Sequence, residues 1–547
     1  MLLDRQVKMI INYIASLALI LILAACGNNE PVRHPEKKPA APAYGDSLVE
    51  GIIGEPSTLI PILASDSASH SVAGLIYNGL VKYDKNLNLT GDLAKSWDIS
   101  ADGLVITFHL RRGVKWHDGH EFTSQDILYT YRTMINPKTP TPYAEDFLQV
   151  RSATAPDKYT FRVTYSKPFA PSLASWGVNI MPAHLLEGKD ITKSELARNP
   201  VGTGPYRFVE WIPGQRLVLT AYHDYFEGRP YIDRCIYRII PDTSTMYMEL
   251  KSGGLDMMTL TPVQYQRQTN TAEFLARFNK YRYPVPSYTY LGYNLKRRLF
   301  ADKRVRQAIT CAINKDELVH GVLFGLGQTG HVPFQPGTWA HNPEIKPFPY
   351  DPARALQLLA EAGWKKRNSA GFLVKDGTPF QFTIITNQGN DQRIKTAQII
   401  QYRLKKVGID VKIRVLEWSS MLTNYIDKKN FDVVLMGWSM SQDPDQYDIW
   451  HSSKTGPKEL NFVSYSNREV DRLLEEGRST FDRNKRRSAY FKMQEIIAEE
   501  QPYTFLYVPD ALPVVNSRFR GIEPAPAGIG HNFIKWYVPQ QEQLSAR

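Results

Sequence analysis

Residues 393–407 have the sequence RIKTAQIIQYRLKKV, and a glycine follows them at position 408. The segment is typical of a helix, and glycine is the residue most often found just after a helix C-terminus. Two strand-like segments come next, VKIRV at 411–415 and FDVVLM at 431–436. A helix that is followed so closely by strands indicates an α/β sheet whose strands are joined by helices.

The same alternation of helices and strands continues on both sides of this stretch. Alternating apolar and polar residues predict further strands at 106–110, 159–165, 206–211 and 217–221. The turn signal Pro213-Gly214 joins the last two into a hairpin. Helices are predicted after the capping box of Thr123–Asp126, from Asp351-Pro352 to Gly363, and from Arg487 to Glu500. Because helices and strands interleave throughout, we expect an α/β fold with mixed sheets.

The length and charge of the chain limit its class. Its 547 residues are too many for one hydrophobic core, so several domain-sized units are expected. The formal net charge is +11, and a basic balance of this size is compatible with nucleic-acid binding. Here the basic residues are scattered, and their short clusters match no nucleic-acid motif. We expect a solvated basic surface and no nucleic-acid partner.

The first 45 residues have the layout of an export signal. Two basic residues precede an apolar stretch at 10–23, which is short for a membrane-spanning helix of about 20 residues. The sequence LAAC at 23–26 resembles a bacterial lipobox, which implies cleavage before Cys26 and lipidation of that residue. We therefore expect a signal peptide at 1–25 and a lipidated, proline-rich tether at 26–45. The body would lie in the periplasm or on the outer face of the cell membrane.

No motif in the sequence predicts catalysis. The chain has no His-Glu-x-x-His, Gly-x-Ser-x-Gly or phosphate-loop sequence. The glycines of 325–330 have the spacing of a dinucleotide site, but a predicted helix rather than a strand precedes them. His117 and His120 flank an Asp-Gly turn, which explains their spacing without a metal and predicts that both are exposed. We expect a binding protein without cofactor or metal rather than an enzyme.

Two tryptophans stand where predicted strands meet loops. Trp418 follows the strand-like segment 411–415, and Trp438 follows the segment 431–436. Ligands of α/β proteins bind at such strand ends, and a tryptophan there provides an apolar wall. The alternative is that both rings belong to the core. We interpret both as candidate pocket residues.

The chain also resembles a known family over nearly everything after residue 46. The stretches that carry the resemblance are YNGLV at 77–81, GDLAKSW at 91–97, FHLRRGVKWHDG at 108–119, GTGPY at 202–206, VRQAI at 305–309, AINK at 312–315 and EAGW at 361–364. In this order they are similar to solute-binding protein family 5, the dipeptide- and oligopeptide-binding proteins of ABC importers. The resemblance implies a two-lobed periplasmic-binding-protein fold, the Venus flytrap, of type II and cluster C, with mixed sheets and an extra inserted domain.

The family resemblance also implies a division of the chain into three lobes. Lobe I is expected to be discontinuous, at 46–84, 201–290 and 515–547. Lobe II is expected as an insertion at 85–200, and lobe III at 291–514. In the family, lobes I and III are joined by two crossovers that act as a hinge, and the ligand lies in the cleft between them.

Candidate ligand contacts follow from the same resemblance. Trp418 and Trp438 match positions where oligopeptide binders have pocket tryptophans. The other candidates are Ser439 and Met440 after the second tryptophan, and Asp66, Ser67 and Ser69 in the segment that usually offers polar contacts from lobe I.

The charged contacts of the family are altered in this sequence. An Asp three residues past the second tryptophan binds the ligand's ammonium group in the family, and that position is Ser441 here. Asp443, two residues later, is the candidate substitute. An Arg ahead of the 393–407 helix binds the ligand's carboxylate in dipeptide binders, and that position is Asn387 here. A buried, unpaired terminus costs several kcal/mol, which disfavours a strict dipeptide binder.

We therefore expect the substrate-binding subunit of an ABC importer that takes oligopeptides. It would be a monomer that closes its cleft over the ligand and delivers it to a permease driven by ATPase subunits. One alternative is the same fold with a non-peptide ligand such as an oligosaccharide, haem or a metal chelate. Two others are a hydrolytic enzyme and a lipoprotein receptor or chaperone that works without a transporter.

Overall fold

The computed structural model describes residues 41–544. The strands are β1 Ser47–Ile52, β2 Val81–Tyr83, β3 Leu89–Gly91, β4 Ala94–Ile99, β5 Val105–Leu110, β6 Val150–Asp157, β7 Thr160–Tyr165, β8 Tyr206–Ile212, β9 Arg216–Ala221, β10 Arg234–Ile239, β11 Met257–Thr259, β12 Phe278–Lys280, β13 Tyr283–Pro284, β14 Ser287–Tyr293, β15 Gly327–Thr329, β16 Lys366–Arg367, β17 Leu373–Lys375, β18 Thr378–Pro379, β19 Gln381–Asn387, β20 Asp410–Leu416, β21 Val433–Ser439, β22 Tyr503–Ala511 and β23 Pro513–Asn516.

The α-helices alternate with these strands along the described chain. They are α1 Ser67–Ile76, α2 Ser124–Met134, α3 Ala144–Leu148, α4 Ala183–Leu186, α5 Thr243–Ser252, α6 Ala272–Arg277, α7 Lys303–Cys311, α8 Lys315–Gly321, α9 Pro352–Glu361, α10 Asp391–Lys406, α11 Trp418–Met421, α12 Tyr447–Trp450, α13 Arg468–Arg478 and α14 Arg483–Glu500. Within residues 41–544, none of them is both long and apolar enough to cross a membrane.

Lobe I is the part of the structure built on a seven-stranded sheet in the order β12-β23-β11-β1-β10-β9-β8. Strand β1 runs parallel to both of its neighbours, β10 and β11, while the outer strands pair antiparallel. The sheet is therefore mixed, as expected. Strand β23 comes from near the end of the chain and lies between β11 and β12, so the sheet joins segments that are distant in sequence.

Lobe III is built on a second mixed sheet in the order β13-β22-β14-β21-β19-β20, with β15 paired to β22. Strands β19 and β20 are parallel and are connected by α10, which forms a strand–helix–strand unit. Helix α10 begins after Asn390, whose side chain caps it, and Gly408 follows it with a φ of +87° that suits glycine. The helix and strand predicted from 393–415 are both present.

Lobe II is built on a four-stranded antiparallel sheet in the order β4-β5-β7-β6. Phe108 of β5 and Phe161 of β7 pack against Trp176, which is fully buried in the same core. The predicted capping box is present at the start of α2, where Thr123 and Asp126 bond to each other's backbone. The expected lobe boundaries at 84/85, 200/201, 290/291 and 514/515 stay a prediction.

The expected export and anchoring features fall at the start of the chain. The signal peptide at 1–25, the lipidated Cys26 and residues 26–40 of the tether at 26–45 lie outside the described residues. They stay predictions.

Candidate functional site

A cavity of about 880 Å³ lies between the lobes. Its walls come from the start of α1 in lobe I, from α3 in lobe II and from β21 and the loop after it in lobe III. Most of the predicted site residues line it: Asp66, Ser67, Trp418, Trp438, Ser439, Met440, Ser441 and Asp443. Segments more than 300 residues apart in sequence thus meet in one space.

Trp418 joins lobe III to lobe I across the cavity wall. It is half-buried and is the first residue of α11, whose N-terminus is capped by the Glu417 side chain. Its indole Nε1 lies 3.5 Å from Asp66 Oδ1. A side chain at Gly54 would press on it, because a Cβ there would be 3.3 Å from the Trp418 Cβ. Trp418 therefore depends on both lobes for its position.

Trp438 is the penultimate residue of β21, next to the loop that follows the strand. Its ring is parallel to that of Tyr290, with centroids 6.4 Å apart, and its Nε1 donates to the Tyr503 hydroxyl at 3.3 Å. Tyr290 and Tyr503 are fully buried, whereas Trp438 is half-buried and lines the cavity. The ring of Trp438 therefore both packs against the buried core and lines the cavity.

Asp66 is held by a small group of hydroxyls. It caps α1 by accepting from Ser69 N–H at 2.9 Å, and its Oδ2 accepts from the hydroxyls of Ser57 and Ser69, both at 2.6 Å. Ser69 is fully buried and does not line the cavity. It positions Asp66, while Ser67 lies at the cavity surface.

The expected ammonium-binding residue, Asp443, has a partner of its own. Arg486 donates to both of its carboxylate oxygens, with Nη2–Oδ1 at 2.6 Å and Nη1–Oδ2 at 3.1 Å. Ser441 donates its hydroxyl to the Asp443 backbone carbonyl at 2.6 Å. The charge of Asp443 is therefore balanced within the protein, although the residue lines the cavity.

Arg478 connects lobe II to lobe III at the cavity. Only 5% of its side chain is exposed, and its Nη2 lies 2.5 Å from Asp146 of α3 and 2.7 Å from Asp445 in the loop after β21. Both carboxylates line the cavity. Burial raises the pKa of Asp146 to about 7, because desolvation disfavours the charged carboxylate. This ion-pair group lies where the two lobes meet.

Asn387 lies in an adjoining chamber of about 410 Å³ and not in the main cavity. It is buried at the end of β19, and its Oδ1 accepts a hydrogen bond of 2.8 Å from Arg393 Nη1. Six residues further along the chain, the first turn of α10 thus brings a guanidinium to the place where dipeptide binders were expected to have one. The sequence pattern around Arg393 did not indicate that this residue would occupy the position of the carboxylate-binding arginine.

Arg393 lines both the main cavity and the chamber. Among the described residues, no carboxylate lies within 4.0 Å of its guanidinium, and its one hydrogen bond there is to Asn387. Burial lowers its pKa, but a guanidinium keeps its proton in proteins. Gly437 makes room for it, since a Cβ at that position would be 3.0 Å from Arg393 Nη2. The site therefore contains a half-buried positive charge without a balancing acid within 4.0 Å among the described residues.

Strand β21 loses one of its two neighbours where it reaches the cavity. It pairs with β14 over its whole length, from Val433 to Ser439. Its ladder with β19 is confined to Val433 and Val434, and β19 itself ends at Asn387. In the part of the chain that the structure describes, no strand lies beside the cavity end of β21 on the β19 side.

The backbone groups on that open side belong to Gly437 and Ser439. Met440 N–H donates to the Pro286 carbonyl, and Tyr288 pairs with Trp438. Backbone groups alternate in direction along an antiparallel ladder, so Trp438 also points towards β14. Gly437 and Ser439 point the other way, and both line the cavity. Their N–H and C=O groups are available to an extended chain lying alongside.

A second cluster of polar side chains lies on the surface of lobe II. Asp118, His120 and His184 bring possible ligand atoms within 4.8 Å of one another. His184 Nε2 lies 2.7 Å and His120 Nδ1 3.2 Å from the Asp118 carboxylate, which accounts for the arrangement without a metal. His120 is exposed as predicted, but His117 is half-buried, with its Nε2 2.9 Å from the Gly204 carbonyl.

Comparisons with known proteins agree on one family. Residues 88–459 match the model of bacterial extracellular solute-binding proteins, family 5, middle region. The oligopeptide-binding protein AppA of Bacillus subtilis (strain 168) is 36% identical over 535 residues, which cover 95% of this chain and 97% of AppA. The structure of AppA in complex with a nonapeptide has a TM-score of 0.87 at 35% identity, over 91% of this chain and 100% of that one.

Two further solved structures have the same fold with different ligands. DppA from Helicobacter pylori in complex with the peptide STSA has a TM-score of 0.82 at 30% identity, over 91% of this chain and 99% of that one. NikZ from Campylobacter jejuni in complex with Ni(L-His) has a TM-score of 0.82 at 29% identity, over 90% and 99% of the two chains.

Proposed function

Since the chain belongs to family 5 of the bacterial extracellular solute-binding proteins, we propose that it is the oligopeptide-binding subunit of an ABC importer. The observation that carries the choice of ligand is the open side of β21. The backbone groups of Gly437 and Ser439 face the cavity, and an extended peptide would pair with them as an added strand. A ligand without a peptide backbone has no regular donor and acceptor pattern to match them.

The size of the cavity supports a ligand longer than a dipeptide. Its volume of about 880 Å³ is near the upper end of the roughly 300–1,000 Å³ range of small-molecule pockets. The relatives bound to a nonapeptide and to the peptide STSA support the same class. Tryptophans on two walls would pack against side chains, while the backbone pairing would be independent of peptide sequence.

The proposed mechanism is closure of the cleft around the peptide. A ligand that contacts lobes I and III at once binds the closed form better than the open form, and it shifts the population accordingly. The Arg478 ion pairs with Asp146 would add a contact between lobes II and III in the closed form. The permease then reopens the cleft and takes the peptide, and no bond in the peptide is broken.

The location and assembly state are also part of the proposal. The family is extracytoplasmic, and the lipobox-like sequence before Cys26 supports a lipid anchor followed by a tether at 26–45. We propose that the protein acts as a monomer beside its permease. The alternative ligand class is a metal chelate with carboxylates, which is favoured by the uncompensated Arg393 and by the relative bound to Ni(L-His).

Replacing Ser439 by proline tests the backbone pairing directly. Proline has no N–H, and the N–H of Ser439 faces the cavity rather than the β14 ladder, so the sheet should tolerate the change. We expect peptide affinity, measured by calorimetry, to fall by about 10-fold to 100-fold, the effect of losing one buried hydrogen bond. The matched control is Ser439→Ala, which keeps the N–H and should bind as the unmodified protein does. Equal affinities for both variants would remove this pairing from the proposal.

A further inference from the structure

The chamber lies beside the main cavity and shares part of its wall. Its volume is about 410 Å³, and it lies between the ends of β1 and β11 in lobe I and the start of α10 in lobe III. The residues that line both spaces are Ser67, Ser71, Asn390, Gln392, Arg393 and Trp418. A ligand in the main cavity that contacts Arg393 or Trp418 therefore lies at the border of the chamber.

Glu50 lines the chamber and not the main cavity. It lies in β1 opposite Tyr237 of the neighbouring strand β10, and Tyr237 lines the chamber too. Within residues 41–544, the Glu50 carboxyl forms no hydrogen bond and no ion pair. Burial raises its pKa to about 7, because nothing nearby compensates for the loss of water. An acid with no partner thus faces the space that Arg393 enters from the other lobe.

Arg393 and Glu50 line one chamber without a direct contact, and the third charged residue of its lining, Asp391, accepts a hydrogen bond of 2.5 Å from the Thr243 hydroxyl. Buried charges are normally paired, because removing an ion from water is costly. Arg393 and Glu50 are not within ion-pair distance of each other, and neither has another charged partner in the described part of the chain. A ligand that carries both a carboxylate and an ammonium group could form an ion pair with each of the two residues.

The position of Arg393 indicates which part of a peptide would reach it. A peptide paired with Gly437 passes close to the guanidinium, since a Cβ at residue 437 would be 3.0 Å from Arg393 Nη2. Arg393 stands where the main cavity meets the chamber, while Glu50 lies only in the chamber. The terminal carboxylate would thus meet Arg393, and the last side chain would continue towards Glu50.

We propose that the chamber selects peptides that end in a basic residue, with the terminal carboxylate on Arg393 and the side-chain cation on Glu50. This inference rests on the proposed peptide-binding function and adds a preference for the last residue. Lysine and arginine have the required charge at the end of a long, flexible stem.

The test uses three pools of pentapeptides, randomised at the first four positions. The last residue is lysine in one pool, norleucine in the second and lysine amide in the third. The pools compete for the purified protein, and bound peptides are counted by mass spectrometry. We expect the lysine pool to exceed each of the others by about 10-fold or more, the effect of one charge-assisted contact.

The matched variants are Glu50→Gln, which removes the acid at constant shape, and Glu55→Gln, whose carboxylate bonds to Trp211 outside both spaces. Glu50→Gln should bring the lysine and norleucine pools to equal recovery, and Glu55→Gln should keep the preference. Equal recovery of the two pools on the unmodified protein would overturn the inference and leave peptide binding intact. A preference that survives Glu50→Gln would also overturn it. Recovery of no peptide from any pool would instead overturn the proposed function.

Discussion

Replacing Arg478 by methionine is expected to lower the free energy of unfolding by about 3–5 kcal/mol at pH 8. The guanidinium holds two carboxylates, Asp146 of lobe II and Asp445 of lobe III, with only 5% of its own side chain exposed. Methionine keeps most of the apolar contact with Phe169 and Tyr447, which lie against the guanidinium at 5.0 and 4.2 Å. The loss would therefore come from two acids left buried without a cation.

Urea unfolding at pH 8 measures this effect. The matched control is Arg472→Met on the same helix, α13, because Arg472 pairs with Glu469 and Glu476 on an exposed surface. Surface pairs of this kind contribute little to stability, so the control should unfold nearly as the unmodified protein does. If the two variants were equally stable, the bridge between lobes II and III would have no energetic role.

The cost of the Arg478 replacement should depend on pH in a defined direction. The pKa of Asp146 in the folded protein, about 7, lies above its usual value of 3.8. The folded state then binds more protons than the unfolded state between about pH 4 and pH 7, so stability falls as pH rises through that window. Without Arg478 the carboxyls are harder to ionise, and we expect a smaller loss at pH 5 than at pH 8. A loss of equal size at both values would contradict this account.

Replacing Arg393 by methionine is expected to weaken peptide binding by about 30-fold to 5,000-fold, which corresponds to about 2–5 kcal/mol. Arg393 is half-buried where the cavity meets the chamber, and Asn387 is its one hydrogen-bond partner among the described residues. A ligand carboxylate would be its only balancing charge. Calorimetry with a peptide that has a free C-terminus, and with its amide, measures the loss and shows whether the carboxylate causes it.

The same replacement should leave the empty protein as stable as before or make it more stable. Without ligand, Arg393 is a half-buried charge without a counter-ion among the described residues, so its removal takes away a desolvation cost. Arg403→Met is the matched control on α10, because Arg403 pairs with Glu317 away from the cavity. A large loss of stability in Arg393→Met, with affinity for the amide and the free peptide reduced alike, would assign this residue a structural role instead.

Much of the fold could be predicted from local sequence. The helix and strand of 393–415, the capping box of α2 and the hairpin of β8 and β9 depend on neighbouring residues, and all are present. The α/β class with mixed sheets is confirmed, and so are the family and its periplasmic-binding-protein fold. Long-range pairing, such as β23 between β11 and β12, left no local signal.

Position along a strand made part of the cavity lining predictable. Trp418 closely follows β20, and the residues from Trp438 to Ser441 lie at the end of β21, where the strands reach the cavity. The charged groups were harder to predict, because their partners come from other elements. Asp443 is balanced by Arg486 of α14, and Arg393 reaches Asn387 from the first turn of α10, close to Gly437.

The roles of the predicted residues in binding stay predictions, and two of the positions call for a different interpretation. Ser69 is buried behind Asp66 and positions it, because the helix cap turns its hydroxyl inwards. Asn387 faces the chamber and serves as the acceptor for Arg393. A spacing rule along one strand could not show either contact, since each depends on how α1 and α10 pack on their sheets.

The decisive measurement identifies the molecules that stay bound to the protein through its purification. Denaturing the protein releases them, and mass spectrometry then identifies them. A cleft that holds a peptide backbone through Gly437 and Ser439 should release a mixture of peptides that differ in sequence. Release of one non-peptide species, such as a metal chelate, from the unmodified protein would contradict peptide binding as the role of this cleft.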